Sequence, residues 1–283
     1  MEGFLAGLHG SPFHGPSVEF KEYRDYRPGD DPRHLDWRLF ARSDRLCIRR
    51  FEQETNLRGY LLLDTSASMA YRGARARQSK LECAKTVALA LGWALLRQND
   101  AVGVLAQGPP DPRPRLDGGP QQREPRLLKP SQKPHQVGQL LRVLSDLEAV
   151  GGSLLPDLLA RAFAAAARRS LLVVVSDFLE PTPALESAFE RARFEGHECL
   201  CLQVLDADEL DFPFTGAQVF EDPETGERRR FVGEEARAQY QARLERFLRE
   251  WRDLWIRLQV RHVLIRTDEE PAAALARGLS TRR

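Results

Sequence analysis

Residues 60–63 and 171–175 restrict the fold of this chain more than any other part of it. Tyr60-Leu61-Leu62-Leu63 and Leu171-Leu172-Val173-Val174-Val175 are apolar at consecutive positions, and each run ends on oxygen-bearing side chains. A strand without polar alternation is buried on both faces, the situation of strands in a parallel sheet covered by helices. The rest of the chain repeats the theme. Leu81, Ala84, Ala88, Leu91 and Leu95 recur at helical spacing within 79–97, a strand pattern follows at 101–106, and helical periods recur at 137–147, after residue 153, and at 184–194, 234–254 and 271–279. Strand patterns at 197–205 and 259–265 fall between them. This alternation predicts an α/β fold with a mostly parallel sheet and helices on both faces. Residues 108–134 hold eight of the chain's 18 prolines and are expected to be loop with a brief edge strand at 126–129. A hairpin is expected where 218–221 and 229–232 flank Asp222-Pro223-Glu224-Thr225-Gly226. Two parts are expected: residues 1–58, a charged, aromatic-rich and strand-forming extension, and the α/β domain at 59–283.

The first apolar run delivers Asp64, Ser66 and Ser68 at alternate positions. In open parallel sheets, ligands bind in the crevice beyond the carboxyl ends of the strands, which is where Asp64 stands. One carboxylate and two neutral hydroxyls suit a hard divalent cation such as Mg²⁺, which takes oxygen ligands in a near-octahedral shell. An ion with so little negative charge around it stays electrophilic enough to accept a further carboxylate from outside. The same residue types also cap helices and hydrogen-bond turns, and the motif alone does not separate the two readings. Two later stretches add to it. Ser153 follows Gly151-Gly152 at the start of an alanine-rich helical pattern, where it also suits an N-cap, and Asp177 ends the second apolar run as Asp64 ends the first.

Taken together, Asp64, Ser66, Ser68, Ser153 and Asp177 resemble the metal-ion-dependent adhesion site of von Willebrand factor A-type domains, which combines Asp-x-Ser-x-Ser with a later threonine and a later aspartate. The resemblance implies that Ser66, Ser68 and Ser153 bind the metal through hydroxyls, while Asp64 and Asp177 act mainly through water. Ser153 stands where that family has threonine. It keeps the oxygen and lacks the methyl that stiffens the side chain.

A second resemblance rests on residues 22–38, from Glu22-Tyr23-Arg24-Asp25-Tyr26-Arg27-Pro28-Gly29-Asp30-Asp31-Pro32 through Trp37-Arg38, followed by Ala41-Arg42. This segment is similar to the signature of the bacterial family called domain of unknown function 58. Gly10-Ser11-Pro12 and the tail from Phe212 through Thr267-Asp268 extend the similarity. The resemblance implies a partner rather than a reaction, because genes of the family commonly neighbour those of MoxR-type AAA+ ATPases. Arg24, Arg33, Arg38 and Arg42 are candidates for docking that partner. They equally suit ion pairs with Asp25, Asp30, Asp31 and Asp36 that hold the extension in place.

Charge argues against a nucleic-acid partner. The chain has 42 Lys and Arg against 41 Asp and Glu, and residues 19–54 hold nine of each sign, so no phosphate-binding stripe is evident. The longest apolar stretch, 87–96, falls well short of the roughly 20 residues of a membrane span. The start Met1-Glu2-Gly3-Phe4 lacks the basic and apolar regions of a signal peptide, so a cytoplasmic protein is expected. The four cysteines, Cys47, Cys83, Cys199 and Cys201, lack metal-finger spacing and are read as buried free thiols.

Enzymatic readings find less support. A haloacid-dehalogenase-like phosphoryl transfer from Asp64 would require a second aspartate where Ser66 stands, neither serine lies in a Gly-x-Ser-x-Gly elbow, and there is no phosphate loop. His34 and Asp36 are read as structural rather than as zinc ligands. The sequence thus predicts a non-enzymatic binding module that holds Mg²⁺, Mn²⁺ or Ca²⁺ and receives an Asp or Glu from a protein partner. A metal-dependent hydrolase using the same oxygens and a metal-free scaffold remain as alternatives.

Overall fold

In a computed structural model, the described residues are 18–27, 35–53, 57–110, 123–166, 169–179 and 182–280. They fall into two compact units divided after residue 56.

In the smaller unit, strands β1 (Val18–Asp25) and β2 (Cys47–Gln53) pair antiparallel, with an irregularity between Phe20 and Glu22. Between them lies a short helix, α1 (Trp37–Ser43), where only strands were expected. Asp36 explains it. Its Oδ1 accepts the backbone N–H groups of Arg38 and Leu39 at 3.0 and 3.1 Å, satisfying donors that a helix start leaves without intrahelical partners. The Tyr23 hydroxyl donates to Asp36 Oδ2 at 2.9 Å and ties the cap to β1.

The larger unit is an α/β structure around a six-stranded sheet. Its strands are β3 (Arg58–Leu63), β4 (Ala101–Pro110), β5 (Arg123–Ser131), β6 (Leu171–Ser176), β7 (Glu198–Leu205) and, after a separate hairpin described below, β10 (Arg261–Arg266). Their order across the sheet is β10-β7-β6-β3-β4-β5. All neighbouring pairs are parallel except β4 with the edge strand β5. β5 is longer than the brief strand expected at 126–129. Gly103 lets it approach, because a Cβ there would lie 2.4 Å from the Leu128 carbonyl oxygen.

β3 is buried from Gly59 to Leu63 and β6 along its whole length, as their unbroken apolar runs require. On one face, α2 (Lys80–Arg97) packs with α3 (Gln136–Ser145) and with the final helix, α8 (Pro271–Ser280). Ser79 caps α2 by accepting the Glu82 N–H. On the other face lie α4 (Leu155–Ala165), α5 (Pro183–Phe194) and the long α7 (Gly233–Leu258), which share a core with Tyr60, Leu62, Leu172 and Val174. Trp251 and Trp255 stack there with ring centroids 4.6 Å apart, and Phe178 meets both edge-on at 5.4 Å.

A short helix that the periodicity did not predict, α6 (Ala207–Asp211), follows β7. It is set by a capping box in which Asp206 accepts the Asp208 N–H and Glu209 accepts the Asp206 N–H. The expected hairpin forms from β8 (Ala217–Glu221) and β9 (Arg228–Val232). The four cysteines are free thiols. Cys47, Cys83 and Cys201 are buried and Cys199 partly so, and burial pushes the Cys83 thiol up to about 12. Among the described residues, no helix is long and apolar enough to cross a membrane.

Candidate functional site

Strand order places the site. From β3 the chain steps to β4 and β5 on one side, then returns past β3 to β6, β7 and β10 on the other, so the direction of winding reverses between β3 and β6. The crevice beyond the carboxyl ends of two such strands is open, because the connections leave in opposite directions. Leu63 pairs with Val175 in register, and Asp64 N donates to the Val175 carbonyl at 2.9 Å. Asp64 and Ser176 therefore emerge side by side.

Two loops are stitched above that edge. Ala67 N donates to the Gly151 carbonyl at 2.7 Å and Val150 N to the Thr65 carbonyl at 2.9 Å, which brings Ser153 over the serines of the first loop. Asp64, Ser66, Ser68, Ser153 and Asp177 all line one pocket. The Ser66 and Ser68 hydroxyls lie 3.0 Å apart. Asp64 Oδ1 accepts the Ser66 N–H at 2.9 Å. Its Oδ2 accepts the Ser176 hydroxyl at 2.7 Å and the Ser153 hydroxyl at 3.0 Å. Asp64 thus bonds the turn that follows it, as turn chemistry allows, and also orients hydroxyls from two distant loops. Ser153 does not cap α4: the cap position is Leu154, and the serine hydroxyl is turned to Asp64.

Asp177 is held differently. Its Oδ2 accepts the ammonium of Lys80 at 2.8 Å, and the same ammonium donates to Glu209 Oε1 at 2.8 Å. Lys80 is 0% exposed, and Asp64 and Asp177 are 1% and 2% exposed. The residue after Asp177, Phe178, has φ 52°, a left-handed conformation costly for a bulky side chain. It delivers the phenyl ring to the tryptophan core and leaves Asp177 facing the pocket. The Phe178 N–H donates to the Ser176 hydroxyl at 2.9 Å and fixes that bend.

Burial, and then the charge of Asp177, raise the pKa of Asp64 above the usual carboxylate range. Burial works against the Lys80 ammonium, but the Asp177 and Glu209 carboxylates more than offset it and hold its pKa above the ordinary lysine value. The site therefore contains a carboxylate deprived of solvent and, among the described residues, of a direct cationic partner, beside one that a buried lysine pairs.

Ser176 and Lys80 are the site residues the sequence reading passed over. Ser176 was legible as the hydroxyl that directly precedes Asp177 at a strand end. Lys80 gave no local signal, since it reads as an ordinary residue in the first turn of a helix. Among the described residues, no three His, Cys, Asp or Glu side chains gather to hold a metal by themselves, so any ion here would depend on the serine hydroxyls.

The candidate docking arginines lie in the smaller unit. Arg38 and Arg42 are exposed and Arg24 is partly so, while Arg33 and His34 lie outside the described residues. The expected pairing of Asp25 is corrected. It bonds Arg45 at 2.9 Å, because Asp25 lies opposite Cys47 across the antiparallel pair and Arg45 stands two residues before that strand. Asp36 serves as the α1 cap described above.

The profile of a family described as "Protein of unknown function DUF58" matches residues 22–247. Uncharacterized proteins of Mycobacterium bovis and Mycobacterium tuberculosis are 29% identical over 234 residues, covering 82% of this chain and 68% of each of theirs. Among solved structures, the conserved hypothetical protein BatB from Bacteroides thetaiotaomicron aligns over 78% of this chain and 95% of its own, with 15% identity and a TM-score of 0.45. A von Willebrand factor type A protein from Catenulispora acidiphila aligns over 82% of this chain and 42% of its own, with 14% identity and a TM-score of 0.42.

Proposed function

The chain belongs to the DUF58 family, and from that premise we propose that its larger unit is a protein-interaction module of the von Willebrand factor A type, which binds a divalent cation and through it an acidic side chain of a partner. The observation that carries this reading is the spacing of the hydroxyls. An octahedral Mg²⁺ shell at about 2.1 Å puts adjacent ligands about 3.0 Å apart. The Ser66 and Ser68 oxygens are separated by 3.0 Å. Ser66, Ser68 and Ser153 would hold the ion, with Asp64 and Asp177 behind them orienting hydroxyls and bound water. Mn²⁺ and Ca²⁺ take the same donor types, Ca²⁺ in a larger shell. When bound, the cation supplies a Lewis-acidic position that accepts a carboxylate oxygen.

The family signature in the smaller unit supports a MoxR-type AAA+ ATPase as the partner, with Arg24, Arg33, Arg38 and Arg42 as its further contacts. We read the site as binding rather than catalytic. Turnover of phosphoesters or peptides with Mg²⁺ or Mn²⁺ that Asp177→Ala abolishes would contradict that. A second reading, a metal-free scaffold, is favoured by Lys80, whose ammonium already supplies positive charge to Asp177. Calorimetry separates the two. Mg²⁺ titrated into the native chain is expected to give a saturable heat that Asp64→Ala removes. Equal heats in both proteins would reject the cation site, and partner capture undiminished by excess chelator would favour the scaffold.

A further inference from the structure

The oxygens of the candidate cation site account for only part of their pocket. Another part of the lining is apolar: Leu155, Pro156, Phe178, Leu179 and Leu185 border the same cavity of about 200 Å³ as Asp64 and the serines. Leu155, Phe178 and Leu185 are buried and belong to the core shared by α4 and α5. Leu179 is 41% exposed. An exposed leucine is ordinary by itself. This one is held at the site by its backbone. The left-handed residue Phe178, with φ 52°, turns its ring into the core, and the Leu179 N–H donates to Asp177 Oδ1 at 3.3 Å. The leucine therefore leaves the core directly beside a site carboxylate.

Two features limit what can enter. Pockets that hold cofactors or drug-sized ligands run to about 300–1,000 Å³, so a cavity of about 200 Å³ takes one or two side chains and not a nucleotide. Asp222, in the turn of the β8–β9 hairpin, also lines the cavity. Its carboxylate is held by that turn, where Oδ1 accepts the Glu224 N–H at 2.9 Å and Oδ2 accepts the Thr225 hydroxyl at 2.7 Å. A fixed negative charge at the rim disfavours a second acidic group next to the one that reaches the cation.

We propose that Leu179, with Leu155, Pro156 and Leu185, forms an apolar subsite of the cation pocket, and that the partner's segment presents an Asp or Glu whose neighbour in sequence is a bulky aliphatic residue. The acid meets the ion, and the aliphatic side chain covers Leu179. This inference rests on the cation-binding reading above and adds the selectivity that an ion lacks. A hard cation accepts a carboxylate from any sequence. Burial of an adjoining aliphatic side chain favours one segment over another, and the Asp222 charge works against acidic competitors.

The test uses the full chain, Mg²⁺, and blocked hexapeptides of Gly that carry one Asp with Leu, Ser or Glu on either side of it. Calorimetry with Mg²⁺ alone is run first on each protein, and peptide binding is then measured at saturating Mg²⁺. The native chain is expected to bind the better Leu peptide about tenfold more tightly than its Ser counterpart, the effect of partly burying one leucine side chain, and to bind the Glu peptides least. Leu179→Ser should bring the Leu peptide down to the Ser level, and Leu179→Met should keep the preference. Ile256→Ser, which removes another exposed apolar side chain, on α7, should also keep it. Leu peptides that bind the Mg²⁺-loaded native chain no more tightly than Ser or Glu peptides, or a preference untouched by Leu179→Ser, would overturn the apolar subsite while leaving the cation site standing. No Mg²⁺ binding to the native chain would remove both.

Discussion

Replacing Lys80 with methionine is expected to destabilise the fold by about 3–5 kcal/mol, the range for removing one partner of a buried ion pair. The ammonium lies between Asp177 and Glu209 at 2.8 Å from each, with no exposure of its own. Methionine fills much the same volume and contributes no charge, so the loss isolates electrostatics from packing. Two carboxylates would then face each other across a site with little water. Part of the loss should return when both are neutralised, in Lys80→Met with Asp177→Asn and Glu209→Gln, because the penalty comes from uncompensated charge and the three sites are coupled. Urea unfolding measures each step. The variant also tests the cation site, since a divalent ion beside Asp177 replaces part of the missing charge. Mg²⁺ should therefore stabilise Lys80→Met more than it stabilises the native protein. A loss below about 1 kcal/mol, near the value of an exposed pair, would show that Lys80 does not set the charge balance of the pocket.

Asp64→Asn is expected to do two opposite things. The amide oxygen still accepts the Ser66 N–H, and the amide nitrogen can donate to the hydroxyls of Ser153 and Ser176, so the local frame survives. The buried charge does not. Asp64 has a folded pKa raised above its unfolded value, first by burial and then by Asp177. A group shifted upward contributes stability below its unfolded pKa, about 3.9 for aspartate, and that contribution is lost as pH rises through the folded value. The native protein without metal therefore carries a penalty at neutral pH that it lacks in acid. Asp64→Asn should match the native chain near pH 3, below the unfolded pKa, and exceed it in stability and Tm at pH 7. With Mg²⁺ at a hundred times its Kd the order should reverse, because the native chain gains about 2.7 kcal/mol by linkage and the variant gains nothing. Thermal melts at the two pH values, with and without Mg²⁺, check both halves. A variant less stable than native at pH 7 without metal would mean that Asp64 serves the fold through its charge.

Much of this architecture was legible in the residues because it is periodic. The unbroken apolar runs at 60–63 and 171–175 could be satisfied only inside a covered sheet, and helical spacing marked α2, α3, α5 and α7. The convergence of Asp64, Ser66, Ser68, Ser153 and Asp177 was legible for a related reason: strands that lie adjacent at a switch point end at the same edge. What the sequence did not reveal depends on short or long-range structure. The α1 and α6 helices are too short to show a period, and their signals were the caps Asp36 and Asp206. Lys80 reaches Asp177 from 97 residues away, a pairing that no local pattern encodes. The hairpin was readable from its turn residues, whereas nothing local in the sequence shows that its turn, Asp222 to Glu224, lines the same pocket as Asp64.

The most direct test of the cation site is diffraction from crystals of the full chain soaked in Mn²⁺, measured for anomalous scattering. One peak is expected within about 2.5 Å of the Ser66, Ser68 and Ser153 hydroxyl oxygens, with Asp64 and Asp177 around it. A peak elsewhere, or none at saturating Mn²⁺, would mean that these side chains meet only to bond one another.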